Sequence, residues 1–208
     1  MQNNIVAVMA KHPELSKVKT RLAATVGDEK ALEVYELLLE NLCTQCQPRI
    51  DDTYKLGSFI TPPTQIESFK EKYNNFEFYY PQIGNTLGEK MYNAFIYLVT
   101  DLQANKAMLI GADIPNLNAN IIQIGCSKLY THDIVLGPTD DGGYYLIGMK
   151  KVYSEIFENI RWGTSEVLSK TLKRCAKLSL SVYQLETLSD LDREEDLQKF
   201  PQIQNKMQ

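Results

Sequence analysis

The sequence predicts an α/β domain with a mainly parallel central sheet and helices on both faces. Three observations carry this. Short apolar runs alternate with helix-periodic stretches along the whole chain. Runs such as 5–9 (IVAVM) and 107–110 (AMLI) are continuously apolar, as strands covered on both faces require. The connections are short, and those after the first, fourth and fifth strand signals carry charge or glycine. The 208 residues suffice for one good core, so residues 1–208 are expected to form a single domain.

Ile5 to Met9 is the first strand. It runs into a loop holding Lys11, Lys17, Lys19 and Arg21, and Pro13 argues against a plain helix there. Asp28 can cap a helix reaching about Cys46, with Leu32, Tyr35, Leu38, Leu39 and Leu42 at helical spacing. Thr53 to Ile60 is a second strand stopped by Pro62 and Pro63. A short helix follows through Ile66, Phe69 and Tyr73, and Phe76 to Tyr80 forms a third strand.

After the glycine-bearing loop 81–90, a helix passes through Met91, Ala94, Phe95 and Leu98. The Ala107 to Ile110 strand then delivers Asp113. Another helix uses Ile121, Ile122 and Leu129. Strands at Asp133 to Leu136 and Tyr144 to Met149 flank Asp140, Asp141, Gly142 and Gly143, a link short enough to make one pairing antiparallel. Helical segments at 153–157 and 164–176, a strand at 180–185 and a last helix in DLDREEDLQKF complete the chain, with Asp190 or Asp192 placed to cap that helix.

Composition excludes several classes. A net charge of −4 argues against a dedicated nucleic-acid binder, and no apolar run approaches a bilayer-crossing length. The N-terminal apolar run is too short for a signal peptide, so a cytoplasmic protein is expected. Of the four cysteines, Cys43 and Cys46 lack the partners of a zinc site, and His12 and His132 are too few for a histidine metal centre. No G-x-S-x-G turn appears. A homo-oligomer is compatible with the sequence.

The remaining acids and bases suit a metal–phosphate site. Four cations within eleven residues after the first strand can hold a di- or triphosphate, although they also read as a solvated charge run. The glycines and GK[ST] ending of a Walker loop are missing. Asp113 reads as a turn or cap aspartate, or as a metal ligand aided by phosphate oxygens. Asp140 and Asp141 suit a type I′ hairpin whose glycine N–H groups would point into a pocket. Asp190 and Asp192 could offer carboxylates to one cation, or cap a helix. Trp162, the single tryptophan, can stack on a base or sugar ring, or belong to the core or a lid.

The blocks KHPELSKVKTRLAATVG, QIGNTLGEKM, GADIPNL, LGPTDDGGYYLIG, IRWGTSEVL and LSDLDREEDL occur in that order over nearly the whole chain. Together they resemble a family of bacterial glycosyltransferases, often linked to arsenosugar biosynthesis, within the nucleotide-diphospho-sugar transferase superfamily. More distantly, the chain is similar to molybdenum-cofactor and phospholactate guanylyltransferases. The resemblance implies a Rossmann-like GT-A sandwich that binds a nucleotide with Mg²⁺ or Mn²⁺. It implies Lys11, Lys19 and Arg21 at the nucleotide phosphates, with Lys17 beside them. It implies Asp113 as a metal ligand, Asp192 completing that site with Asp190 nearby, and Asp141, Gly142 and Gly143 at the donor or acceptor.

The sequence departs from the family pattern at Ser16, usually glycine, Thr86, usually aspartate, and Arg193, usually threonine. Asn116 replaces a frequent aspartate. The function expected is metal-dependent glycosyl transfer from a nucleotide-sugar to a small-molecule acceptor, with Asp141 or Asp140 receiving the acceptor proton. The alternatives are nucleotidyl transfer from a nucleoside triphosphate to a phosphorylated small molecule, and a non-catalytic nucleotide-binding relative.

Overall fold

The computed structural model describes residues 3–207. Seven strands form one sheet: β1 (Asn4–Lys11), β2 (Tyr54–Thr61), β3 (Tyr79–Pro81), β4 (Lys106–Gly111), β5 (Ile134–Pro138), β6 (Tyr144–Met149) and β7 (Val182–Gln184), in the spatial order β3-β2-β1-β4-β6-β5-β7. All neighbours are parallel except β6, which runs antiparallel to both β4 and β5. The cause is local. Only residues 139–143 separate β5 from β6, far too few for a parallel crossover.

The helices are α1 (Thr20–Val26), α2 (Asp28–Gln45), α3 (Ile66–Lys72), α4 (Leu87–Thr100), α5 (Ala119–Lys128), α6 (Val167–Lys177), α7 (Glu194–Leu197) and α8 (Pro201–Gln204). They cover both sheet faces. Val6, Val8 and Ala10 pack with α2 and α5 residues such as Leu39 and Ile122. Ile5 and Ala7 pack on the other face with Phe95 and Leu98 of α4. Burial of successive β1 residues on opposite faces is why the strand reads as unbroken apolar sequence. A third cluster joins α1 and α2 to the C-terminal turns through Leu22, Leu38, Leu191 and Phe200.

Several elements differ from expectation. The third strand shortens to Tyr79–Pro81, although Phe78 O and Glu77 N still bond β2. Gly57 of β2 makes this possible: a Cβ there would lie 2.1 Å from the Phe78 ring. Asp28 is the first residue of α2 and not its cap, which is Gly27 at φ 89°. Neither Asp190 nor Asp192 caps α7. Asp196 does that work from inside the helix, accepting from Asp192 N at 3.1 Å and Arg193 N at 2.9 Å.

The Asp140–Gly143 link is not a two-residue type I′ turn. Gly142 N donates to Thr139 O and Thr139 N donates to Gly143 O, closing a three-residue loop with Gly142 at φ 86°. A left-handed glycine at the end of such a loop introduces a bulge, and the β5–β6 register shifts at Gly137/Pro138.

Candidate active site

The chain reverses its direction of strand addition between β1 and β4. From β1 it builds outward to β2 and β3, then returns to the other side with β4. In open α/β sheets, the crevice beyond the carboxyl ends of the strands at this reversal accommodates ligands. A cavity of about 420 Å³ lies there, bordered by Lys11 and Gly111 at the ends of β1 and β4 and by Asp113 beyond β4.

The loop after β1 turns its cations toward this cavity unequally. Lys19 is left-handed, at φ 46° and ψ 43°, immediately before α1. Its side chain is 5% exposed, and Nζ lies 3.4 Å from Asp113 Oδ2 and 3.9 Å from Asp192 Oδ1. Arg21 Nη1 donates to Asp192 Oδ2 at 3.0 Å. Both line the cavity, as does Lys11. Lys17 does not; it is exposed and pairs with no acid among the described residues. Ser16 also has positive φ, 61°, which accounts for the glycine that the resembled family carries there. Its hydroxyl bonds Asp28 across the loop.

Asp192 reaches Asp113 because the segment 188–192 crosses the sheet's edge. Leu188 bridges to Thr139 in parallel and donates its N–H to Pro138 O at 3.1 Å. Leu191 N then donates to Asp113 O at 3.0 Å. Two backbone bonds thus pin the acidic segment across the ends of β5 and β4. Asp190 lies between them. Burial pushes its carboxyl up to about 6, and the negative charges of Asp113 and Asp141 add to this. Asp113, Asp141, Asp190 and Asp192 therefore share one electrostatic neighbourhood, with Lys19 as its buried cation.

The 140–143 turn is committed to holding its own shape. Asp141 Oδ1 accepts from Thr139 Oγ1 at 2.6 Å and from Gly143 N at 2.9 Å. Asp140 accepts from the Ser189 hydroxyl, tying the turn to the 188–192 crossing. Contrary to the sequence expectation, the N–H groups of Gly142 and Gly143 are not free to point into the pocket. One is bonded to Thr139 O and the other to the Asp141 side chain, because the three-residue loop needs both.

Trp162 does not border the 420 Å³ cavity. It stands against the first turn of α4, where a Cβ on Gly88 would lie 2.6 Å from the indole Nε1. The cavity's apolar wall went unread in the sequence. Leu87 and Met91 supply it from one face of α4, with Tyr144 and Tyr145 from β6. The i, i+4 spacing of Leu87 and Met91 was a signal, since Leu87 remains 45% exposed and is not core. Tyr35 is another: its hydroxyl accepts from Lys11 N at 2.9 Å and donates to Lys11 O at 3.1 Å, anchoring the start of the basic loop.

Among the described residues, no three His, Cys, Asp or Glu side chains are drawn together to hold an ion by themselves, and no helix is long and apolar enough to cross a membrane.

An α/β sheet of this order, with a basic loop after β1 and carboxylates beyond β4, places the protein in the nucleotide-diphospho-sugar transferase superfamily. Within it, the chain belongs to the family described as "Uncharacterized protein conserved in bacteria (DUF2064)", which it matches over residues 54–164. It is 31% identical to a provisionally named nucleotide-diphospho-sugar transferase from Desulfovibrio desulfuricans G20, with a TM-score of 0.82 over 93% of this chain and 84% of that one. The inositol-1-phosphate CTP transferase from T. maritima has 14% identity and a TM-score of 0.53, over 98% of this chain and 95% of that one. A 4-diphosphocytidyl-2C-methyl-D-erythritol synthase from Anaerococcus prevotii DSM 20548 has 11% identity and a TM-score of 0.58, over 98% and 99%. The last two show the fold alone. No curated protein sequence matches the chain.

Proposed function

We propose that this protein is a metal-dependent glycosyltransferase that takes its donor as a nucleotide-diphospho-sugar. The observation that carries the reading is the Lys19 ammonium held between Asp113 and Asp192 at the switch point of the sheet. It stands where a cation is wanted, and it marks the two carboxylates as converging on one point. Mg²⁺ or Mn²⁺ fits these hard carboxylate oxygens, so Asp113 and Asp192 would hold the ion, with Asp190 nearby and phosphate oxygens completing its shell. When bound, the ion supplies Lewis-acid neutralisation of the diphosphate leaving group.

The chain's own residues supply the rest. Lys19, Arg21 and Lys11 neutralise the donor phosphates, and Arg21 offers a planar fork for two oxygens. The bond between the sugar's anomeric carbon and the diphosphate oxygen breaks, and its electron pair leaves with the nucleoside diphosphate. The acceptor oxygen forms the new bond to that carbon and gives up its proton. Asp141 is the candidate to receive this proton. Its Oδ1 is held by Thr139 and Gly143, while Oδ2 makes no hydrogen bond among the described residues.

Nucleotidyl transfer is the second reading, favoured by the fold shared with the T. maritima and A. prevotii enzymes. It would use the same cations to release pyrophosphate. Calorimetry with a panel of nucleoside diphosphates and Mn²⁺ tests the site. Tight, metal-dependent binding that disappears in Asp113→Ala is expected, and equal binding in that variant overturns the assignment. Pyrophosphate release from a triphosphate, without turnover of any nucleotide-sugar, would establish the second reading instead.

A further inference from the structure

Behind the first turn of α4 lies a second cavity, of about 570 Å³. It shares a wall with the first. Leu87 faces the central cavity and its neighbour Gly88 the second. Tyr144, on the central side, meets Trp162, on the far side, edge to face at 6.3 Å and 89°.

The two cavities differ in charge. Lys11, Lys19 and Arg21 line the first. Two carboxylates, Glu89 and Glu158, line the second, and among the described residues no lysine or arginine does. Trp162, Tyr92, Thr86 and Ser154 line it with them, adding two aromatic rings and two hydroxyls. The polar groups keep capacity to spare. Thr86 Oγ1 accepts from Glu89 N at 3.2 Å, which leaves its proton to donate. Glu89 uses Oε2 to accept from Asn85 N at 2.8 Å, one residue before the Thr86 cap, leaving Oε1. Among the described residues, no acceptor is paired with the Trp162 indole N–H.

The platform is built into place. The indole sits over α4 only because residue 88 lacks a Cβ, which would otherwise approach Nε1 at 2.6 Å and Phe157 O at 2.8 Å. Asn159 and Gly163, at φ 48° and 74°, turn the chain on either side of it. Aromatic rings that line a cavity together with carboxylates and hydroxyls suit a ring that has C–H groups on one face and hydroxyls at its edge. The same carboxylates repel a phosphate ester.

We propose that this second cavity seats the part of the acceptor away from its reacting hydroxyl, and that this part is a polyhydroxylated ring, neutral or amine-bearing and not phosphorylated. The inference rests on the donor-site reading above, in which the glycosyl group passes to an acceptor hydroxyl at the cationic cavity. It adds a chemical class for the acceptor and a place for it.

Trp162 is the single tryptophan and lines this cavity, so with the nucleoside diphosphate held constant its emission reports on added sugar. The full chain, with Mn²⁺ and a nucleoside diphosphate present, is titrated separately with glucose, glucosamine and glucose 6-phosphate. Glucose and glucosamine are expected to change the emission saturably, in the millimolar range usual for a lone sugar ring, with glucose 6-phosphate at least about tenfold weaker. Glu158→Gln should weaken glucosamine more than glucose. A tighter response to glucose 6-phosphate, or no saturable response to any of the three up to about 100 mM, overturns the inference. Calorimetry on the same samples separates the two claims. Nucleotide binding with silent Trp162 emission defeats this inference alone, whereas a sugar response without nucleotide binding defeats the donor-site reading alone.

Discussion

The Lys19 ammonium and the Asp113 carboxylate meet at 3.4 Å although 94 residues separate them. The lysine side chain is 5% exposed, while the Asp113 side chain is 42% exposed. The pair therefore faces outward through its acid, as expected of a group that exchanges partners. Lys19→Met keeps the stem's bulk and removes the charge. Nucleoside diphosphate affinity should fall by about ten- to a hundredfold, the loss of one charge-assisted contact. Stability should fall by only about 1 kcal/mol, because the carboxylates left behind remain solvent-accessible. Calorimetry and thermal melts measure the two separately.

Arg21 is 55% exposed and bonds Asp192 through one nitrogen, leaving the rest of its fork free. Arg21→Lys retains the charge and loses the planar geometry. Binding should weaken by about three- to tenfold with the fold unchanged. An Arg21→Lys affinity equal to wild type would remove Arg21 from the phosphate contacts.

Gly142 and Gly163 both have positive φ, yet they differ in surroundings. A Cβ on Gly142 would approach Ser165 O to 2.3 Å, and on Gly163 it would meet nothing within 4 Å. Gly163→Ala should cost about 1 kcal/mol of backbone strain. Gly142→Ala adds a backbone clash and should cost at least about 2 kcal/mol, lowering Tm by roughly 4–8 °C for a chain of this size. Equal losses in the two variants would contradict the packing of the 140–143 turn on the segment before α6.

Asp133 holds the end of β7 to β5. Its Oδ2 accepts from Ser181 N at 2.9 Å and Ser181 Oγ at 2.6 Å, and the Ser181 hydroxyl followed by its amide holds the carboxyl below its usual value. The folded-state pKa therefore lies below the unfolded one. The resulting stability is present above about pH 4 and is lost as pH falls through the folded value. Asp133→Asn should be less stable by about 1 kcal/mol near pH 7. The gap should close as wild type is acidified below pH 4, and paired melts from pH 7 to pH 3 read it directly.

The sequence by itself determined the sheet, the helices on both faces, the antiparallel intrusion at the Asp140–Gly143 link, and the strand ends that carry Lys11 and Asp113. These depend on periodicity and connection length, which act between near neighbours. Tertiary structure alone decided which charges meet. Asp190 and Asp192 read equally well as helix caps, until the backbone bonds of Leu188 and Leu191 carry them across β5 and β4. Lys17 and Lys19 are two residues apart in one basic run. Only the left-handed backbone at Lys19 sends one ammonium inward to Asp113, while Lys17 remains in solvent. The N–H groups of Gly142 and Gly143 looked free for a ligand and were consumed by the loop's own hydrogen bonds. Trp162 and its cavity came from a contact between Gly88 and a segment some seventy residues later. No local pattern encodes such meetings, because they follow from the order in which distant strands pair.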